Sequence, residues 1–132
     1  MPLEQAFGPT AELKIDKELA QLLRLRVAQK NHCSVCVIAH AKTTREIGVS
    51  AAKVDNISSW WQSDLYSDVE KAALAYADVL SDGTHSDFQT YHDELTIYFN
   101  EEEIAEVAAV VINMNLWTRL KLAQGATPHF AY

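Results

Sequence analysis

Apolar residues recur at three- and four-residue spacing in one segment after another, as expected of helices that each bury one face. In the first such segment Leu19, Leu22, Leu23 and Val27 mark the face, Asp16 offers an N-cap, and Asn31-His32 is the expected break. A second helix is predicted from about Cys33 to Gly48, a glycine placed where a left-handed C-terminal cap belongs, and Ser50 then caps a short third helix. Ser67 to Glu70, read as SDVE, is a capping box that opens a helix through Leu80 and stops at Asp82-Gly83. Ser86 is the candidate cap of another short helix toward Leu95. Asn100 to Glu103, read as NEEE, sets acidic residues at the positive end of a helix dipole and opens a long last helix to about Ala123 and Gly125.

No segment alternates apolar and polar residues over the length of a strand, and no Asn-Gly or Asp-Gly turn joins two such runs. The fold class is therefore all-α, a compact single domain over residues 1–132 with about six or seven helices. A chain of 132 residues suits one domain, and 48% hydrophobic against 22% charged residues is the balance of a folded protein rather than a disordered one.

Charge removes one class of partner. A net charge of −7 and the lack of a basic stripe argue against nucleic acid, whose phosphates require clustered Lys and Arg. The most basic stretch, Arg24 to Lys30, spaces its charges between apolar residues and reads as a solvated helix face. The longest apolar run, Val107 to Ile112, falls far short of the roughly 20 residues that cross a bilayer, so no membrane partner is expected. The N-terminal residues carry acidic groups and no apolar block, which does not resemble an export signal. The expected location is cytoplasmic, a reducing compartment in which a close cysteine pair is more often catalytic or metal-binding than a staple.

Both cysteines of the chain lie in HCSVCVIAH, His32 to His40. Three readings compete: a dithiol redox centre, a metal site, or small apolar packing residues. On a helix, Cys33, Cys36 and His40 stand at relative positions 0, 3 and 7 and share one face. Cysteines three apart have Cα atoms about 5 Å from one another, inside the disulfide range. A thiol near a helix N-terminus is biased toward its thiolate, and His40 is placed to accept or relay the proton. Metal requires a fourth ligand, yet His85, His92 and His129 stand singly, so no metal is expected. The packing reading draws on Val35, Val37, Ile38 and Ala39, which are apolar enough for core. A thioredoxin fold is excluded, because its C-x-x-C needs strands around it.

The stretch from Gln21 to Ser50, QLLRLRVAQKNHCSVCVIAHAKTTREIGVS, resembles the carboxymuconolactone decarboxylase family, and within it the alkylhydroperoxidase D-like branch. That branch shows an acidic residue, eleven residues, C-x-x-C, three residues and a histidine, then a glycine before a Ser or Asp cap. Cys33, Cys36, His40 and Gly48 match. The similarity continues through Ser67 to Asp82 and Asn113 to Gly125, covering about residues 10–125. It implies an all-α fold assembled into homo-oligomers, trimers or hexamers, and thiol peroxidase or disulfide oxidoreductase chemistry with no bound cofactor. The implied partners are a small hydroperoxide or disulfide substrate and a dithiol reductant. By the same resemblance Cys36 is the attacking thiolate, Cys33 its disulfide partner and His40 a member of the proton relay.

Two relay positions depart from the pattern: Gln21 stands where the acidic residue belongs, and Val35 where a histidine often precedes the second cysteine. Neither carries a proton at neutral pH, so weak peroxidase turnover is the expectation. The alternatives are the lyase chemistry of the same family, which does not depend on C-x-x-C, and a non-catalytic helical oligomer or oxidant sensor. Trp60-Trp61 reads as one packed and one partly exposed ring, and Trp117 with Arg119 as packing plus a solvated charge. Neither pair is assigned to the site.

Overall fold

The computed structural model describes residues 2–84 and 87–128. Within them the chain forms seven α-helices and one 3-10 helix, with no strand. They are α1 (Pro2–Phe7), α2 (Lys17–Lys30), α3 (Ser34–Glu46), α4 (Ala51–Asp55), the 3-10 helix (Ile57–Gln62), α5 (Asp68–Ser81), α6 (Gln89–Leu95) and α7 (Glu101–Ala123).

The ends fall where the local chemistry puts them. The Asp16 carboxylate accepts the Leu19 N–H at 3.1 Å, and the Ser50 hydroxyl accepts that of Lys53 at 3.2 Å. Ser67 with Glu70, and Asn100 with Glu103, close reciprocal capping boxes. His32 takes φ 54 in the break between α2 and α3, and Gly48 takes φ 101 after α3, a backbone conformation glycine adopts without strain. At the start of α6 the Asp87 carboxylate accepts the Thr90 N–H at 3.2 Å; Ser86 lies outside the described residues. The short α1 had no signature in the sequence pattern, since six residues show no apolar period.

Helix α2 runs through the middle, packed against α3, α5 and α7, with Leu22, Leu23, Leu25 and Val27 fully buried. This placement overturns the solvated-face reading of its basic stretch. Arg24 and Arg26 are only 3% and 8% exposed. A helix enclosed on several sides carries its polar positions inward too, and each guanidinium then needs fixed acceptors. Arg26 pairs with Asp78 through two bonds of 2.7 and 3.1 Å, and Trp60 Nε1 donates to the same carboxylate at 3.1 Å. Trp60 is buried and Trp61 exposed, edge to face at 5.8 Å. Arg24 donates to the carbonyls of Phe7 and Gly8 at 2.9 and 2.8 Å, which ties α1 to the core.

Among the described residues no helix is long and apolar enough to cross a membrane. Along α7, Ile112, Leu116 and Leu120 leave an exposed apolar row at four-residue spacing.

Candidate active site

Cys33 is the N-cap of α3 and Cys36 lies in its first turn, so the bend into the helix brings the two sulfurs together. They form a disulfide with Cα atoms 5.2 Å apart. Both are buried, Cys33 at 2% and Cys36 at 8% exposure. Among the described residues no three His, Cys, Asp or Glu side chains gather as a metal-ligand set; His85 and His129 lie outside those residues.

Behind the cysteines, α2 supplies a chain of hydrogen bonds. Arg24 Nη1 donates to Gln21 Oε1 at 3.1 Å, which fixes the orientation of the amide. Gln21 Nε2 therefore faces His40 and lies 3.0 Å from its Nδ1. An amide nitrogen only donates, so Nδ1 accepts and the ring proton sits on Nε2. The same amide nitrogen lies 3.4 Å from the His40 carbonyl, which also accepts the Thr44 hydroxyl at 2.6 Å.

Burial, and secondarily the Arg24 cation, push the His40 pKa down from 6.5 to about 4. Burial lowers Arg24 to about 10, against the pull of Glu4, which leaves it charged at neutral pH. His40 is thus a neutral imidazole whose Nε2–H is a donor.

A cavity of about 300 Å³ opens between α1, α3 and α7. Val35, Cys36, Ala39 and His40 form one wall, Met114, Trp117 and Lys121 another, and Glu4 of α1 the third. Cys36 faces this space with His40, one helical turn away, whereas Cys33 does not line it. Val35 contributes an apolar surface at the position where the family pattern often has a histidine. A larger cleft of about 570 Å³, over Pro9 to Leu13 and Lys17, holds neither cysteine nor His40.

Two lining residues escaped the sequence reading. Trp117, read as packing, forms part of the cavity, and its indole N–H is buried without a hydrogen-bond partner. Glu4 is half-buried, and one carboxylate oxygen accepts the Asn113 amide at 3.3 Å. A Cβ on Gly8 would stand 2.4 Å from the other oxygen and from the Glu4 carbonyl, so glycine at position 8 makes room for the carboxylate. The capping signals gave no hint of either residue. Arg119 is exposed and takes no part in the cavity wall.

The helical fold and the cysteine pair at the head of α3 define the alkylhydroperoxidase D-like class of architecture. Residues 4–79 match the carboxymuconolactone decarboxylase family, and the chain belongs to that family. It is 26% identical over 118 residues to the uncharacterized protein YdfG of Bacillus subtilis (strain 168), covering 88% of this chain and 80% of that protein. Its fold is similar to that of an Agrobacterium tumefaciens protein of unknown function, provisionally described as the antioxidant defence protein AhpD. The TM-score is 0.87 and the identity 25%, over 98% of this chain and 88% of that one. It is also similar to the debrominase Bmp8, solved as a cysteine-to-alanine variant with 2,3,4-tribromopyrrole. There the TM-score is 0.84 and the identity 26%, over 96% of this chain and 70% of that one.

Proposed function

We propose that the protein is a thiol oxidoreductase that reduces a small, mainly apolar hydroperoxide or disulfide with the Cys33–Cys36 dithiol. The observation that carries this reading is the disulfide itself, with Cys36 opening on a cavity beside His40 and Cys33 buried behind it. In the reduced protein the Cys36 thiolate attacks the outer oxygen of the peroxide, forming an S–O bond as the O–O bond breaks, and the departing oxygen leaves as an alcohol once protonated. The Cys33 thiol then attacks the sulfenic sulfur, an S–S bond forms, and water leaves. An external dithiol restores both thiols by exchange. The lyase chemistry of the family has no use for a bonded cysteine pair.

His40 acts in this scheme as a donor rather than a base. Its Nε2–H stabilises the Cys36 thiolate or the departing oxygen, while Gln21 occupies Nδ1. Peroxide turnover is accordingly slow and dithiol–disulfide exchange competent, because exchange depends mainly on the cysteines. Such a cycle belongs in a reducing compartment. The apolar row on α7 supports self-association, and light scattering should return a mass several times that of one chain.

A second substrate class is favoured by the likeness to a debrominase and by a cavity walled with Met114 and Trp117. Here the dithiol becomes a disulfide while a carbon–halogen bond is replaced by carbon–hydrogen, releasing halide and a proton.

Turnover of tert-butyl hydroperoxide and of 2,3,4-tribromopyrrole, each supplied with a dithiol reductant, separates the two classes. Consumption of either that disappears in Cys36→Ser supports thiol oxidoreduction. Consumption unaffected by that substitution, or none of either substrate with the protein folded and reduced, contradicts it.

A further inference from the structure

We propose that Glu4 is the acid–base residue of this site, in the role that position 21 cannot fill. The proposal rests on the thiol-redox reading above and adds to it the group that moves the proton.

The case is one of elimination inside a single cavity. The reaction needs a group that takes the Cys36 thiol proton and returns one to the departing oxygen. Gln21 has no titratable proton. His40 accepts the Gln21 amide at Nδ1 and already bears hydrogen on Nε2, so it has no lone pair free toward the cavity. Lys121 stands exposed at the rim, and an ammonium group offers donors but no acceptor. The Trp117 indole N–H donates only. Of the side chains on the cavity wall, the carboxylate of Glu4 is the one whose chemistry lets it both accept and return a proton at the reacting sulfur.

Its placement is built from three sides. Asn113 of α7 donates to one carboxylate oxygen at 3.3 Å. Gly8 leaves space for the other, which any side chain there would displace. Arg24 of α2 clamps the end of α1 through the carbonyls of Phe7 and Gly8. These contacts hold a six-residue helix in one position although it has no buried residue of its own. The charged and titratable groups around the carboxylate are Arg24 from α2, His40 from α3 and Lys121 from α7.

The step balances within the site. Glu4 takes the proton of the Cys36 thiol; the thiolate attacks the hydroperoxide, forming S–O and breaking O–O; Glu4 returns the proton to the alkoxide, which leaves as the alcohol. The carboxylate is regenerated, and Cys33 closes the disulfide with loss of water.

The test compares the natural sequence with Glu4→Gln, which keeps an oxygen for the Asn113 amide, and with Glu4→Ala, which leaves room for a small acid. Single-turnover oxidation of each reduced protein by tert-butyl hydroperoxide is followed across pH, with iodoacetamide alkylation of the thiols and thermal melting alongside. Glu4→Gln should oxidise about 10²-fold more slowly and lose the acid-side limb of the pH profile, and added acetate should restore Glu4→Ala in proportion to its concentration. A Glu4→Gln rate within about twofold of the natural one with the same pH profile overturns the proposal, whatever Glu4→Ala does. So does a slow Glu4→Gln with an unchanged profile and no acetate rescue, which is the mark of a residue that only holds α1. A natural protein whose thiols alkylate normally but do not react with hydroperoxide overturns the peroxidase reading itself, and the role of Glu4 with it.

Discussion

Gln21 donates its side-chain amide to Nδ1 of His40 across 3.0 Å, and it does so because Arg24 holds the amide oxygen on the opposite side at 3.1 Å. A glutamate at position 21 would reverse the arrangement, since a carboxylate accepts from Nδ1–H and leaves Nε2 with a free lone pair. One atom of difference thus turns a histidine base into a histidine donor. The slow peroxide turnover proposed above would follow from that inversion as much as from the missing charge.

Gln21→Glu should therefore raise the His40 pKa above its present value of about 4, read by NMR titration of the ring protons, and should raise the peroxide rate roughly tenfold to 10²-fold. Adding Val35→His should raise it further, while dithiol exchange stays near its starting value. An unmoved His40 pKa together with an unchanged peroxide rate contradicts this account of Gln21.

The buried neutral His40 also links stability to pH. Its pKa falls from 6.5 in the open chain to about 4 in the fold, so between those values the unfolded state binds the extra proton. Stability is then unpenalised above pH about 6.5, declines as pH drops toward about 4, and levels off below, the loss reaching at most about 3 kcal/mol. Denaturant titrations across that window should show the slope in the natural protein and a shallower one in His40→Gln. Parallel slopes contradict the burial of a neutral imidazole.

Gly8→Ala should cost about 1–3 kcal/mol, because the new methyl overlaps the Glu4 carbonyl and carboxylate and one of them has to move. The peroxide rate should fall in the same variant as the carboxylate leaves the cavity wall. A fully stable, fully active Gly8→Ala would show that the turn after α1 adjusts without disturbing Glu4.

Much of the fold was legible because helix ends are local events. Asp16, Ser50, Ser67 and Asn100 each cap a backbone N–H three residues away, and the sequence shows both partners side by side. Cys33, Cys36 and His40 were legible for the same reason, lying within two turns of one helix. Glu4 and Trp117 were not. They come to line one cavity with Cys36 only through the packing of α1 and α7, and the Glu4–Asn113 bond spans 109 residues. The burial of Arg24 and Arg26 was equally hidden, because helical spacing tells which residues share a face but not how many faces a central helix has covered.

The most direct test of the dithiol chemistry is mass spectrometry of the reduced protein after one equivalent of hydroperoxide, for the natural sequence and for Cys33→Ser. The natural protein should lose two hydrogens and resist alkylation at both cysteines, and Cys33→Ser should gain one oxygen at Cys36, trapped as the sulfenic acid. Two cysteines that still alkylate after peroxide, or an oxygen on the buried Cys33 when Cys36 is replaced but none on Cys36 when Cys33 is, would contradict the assignment of Cys36 as the attacking thiol.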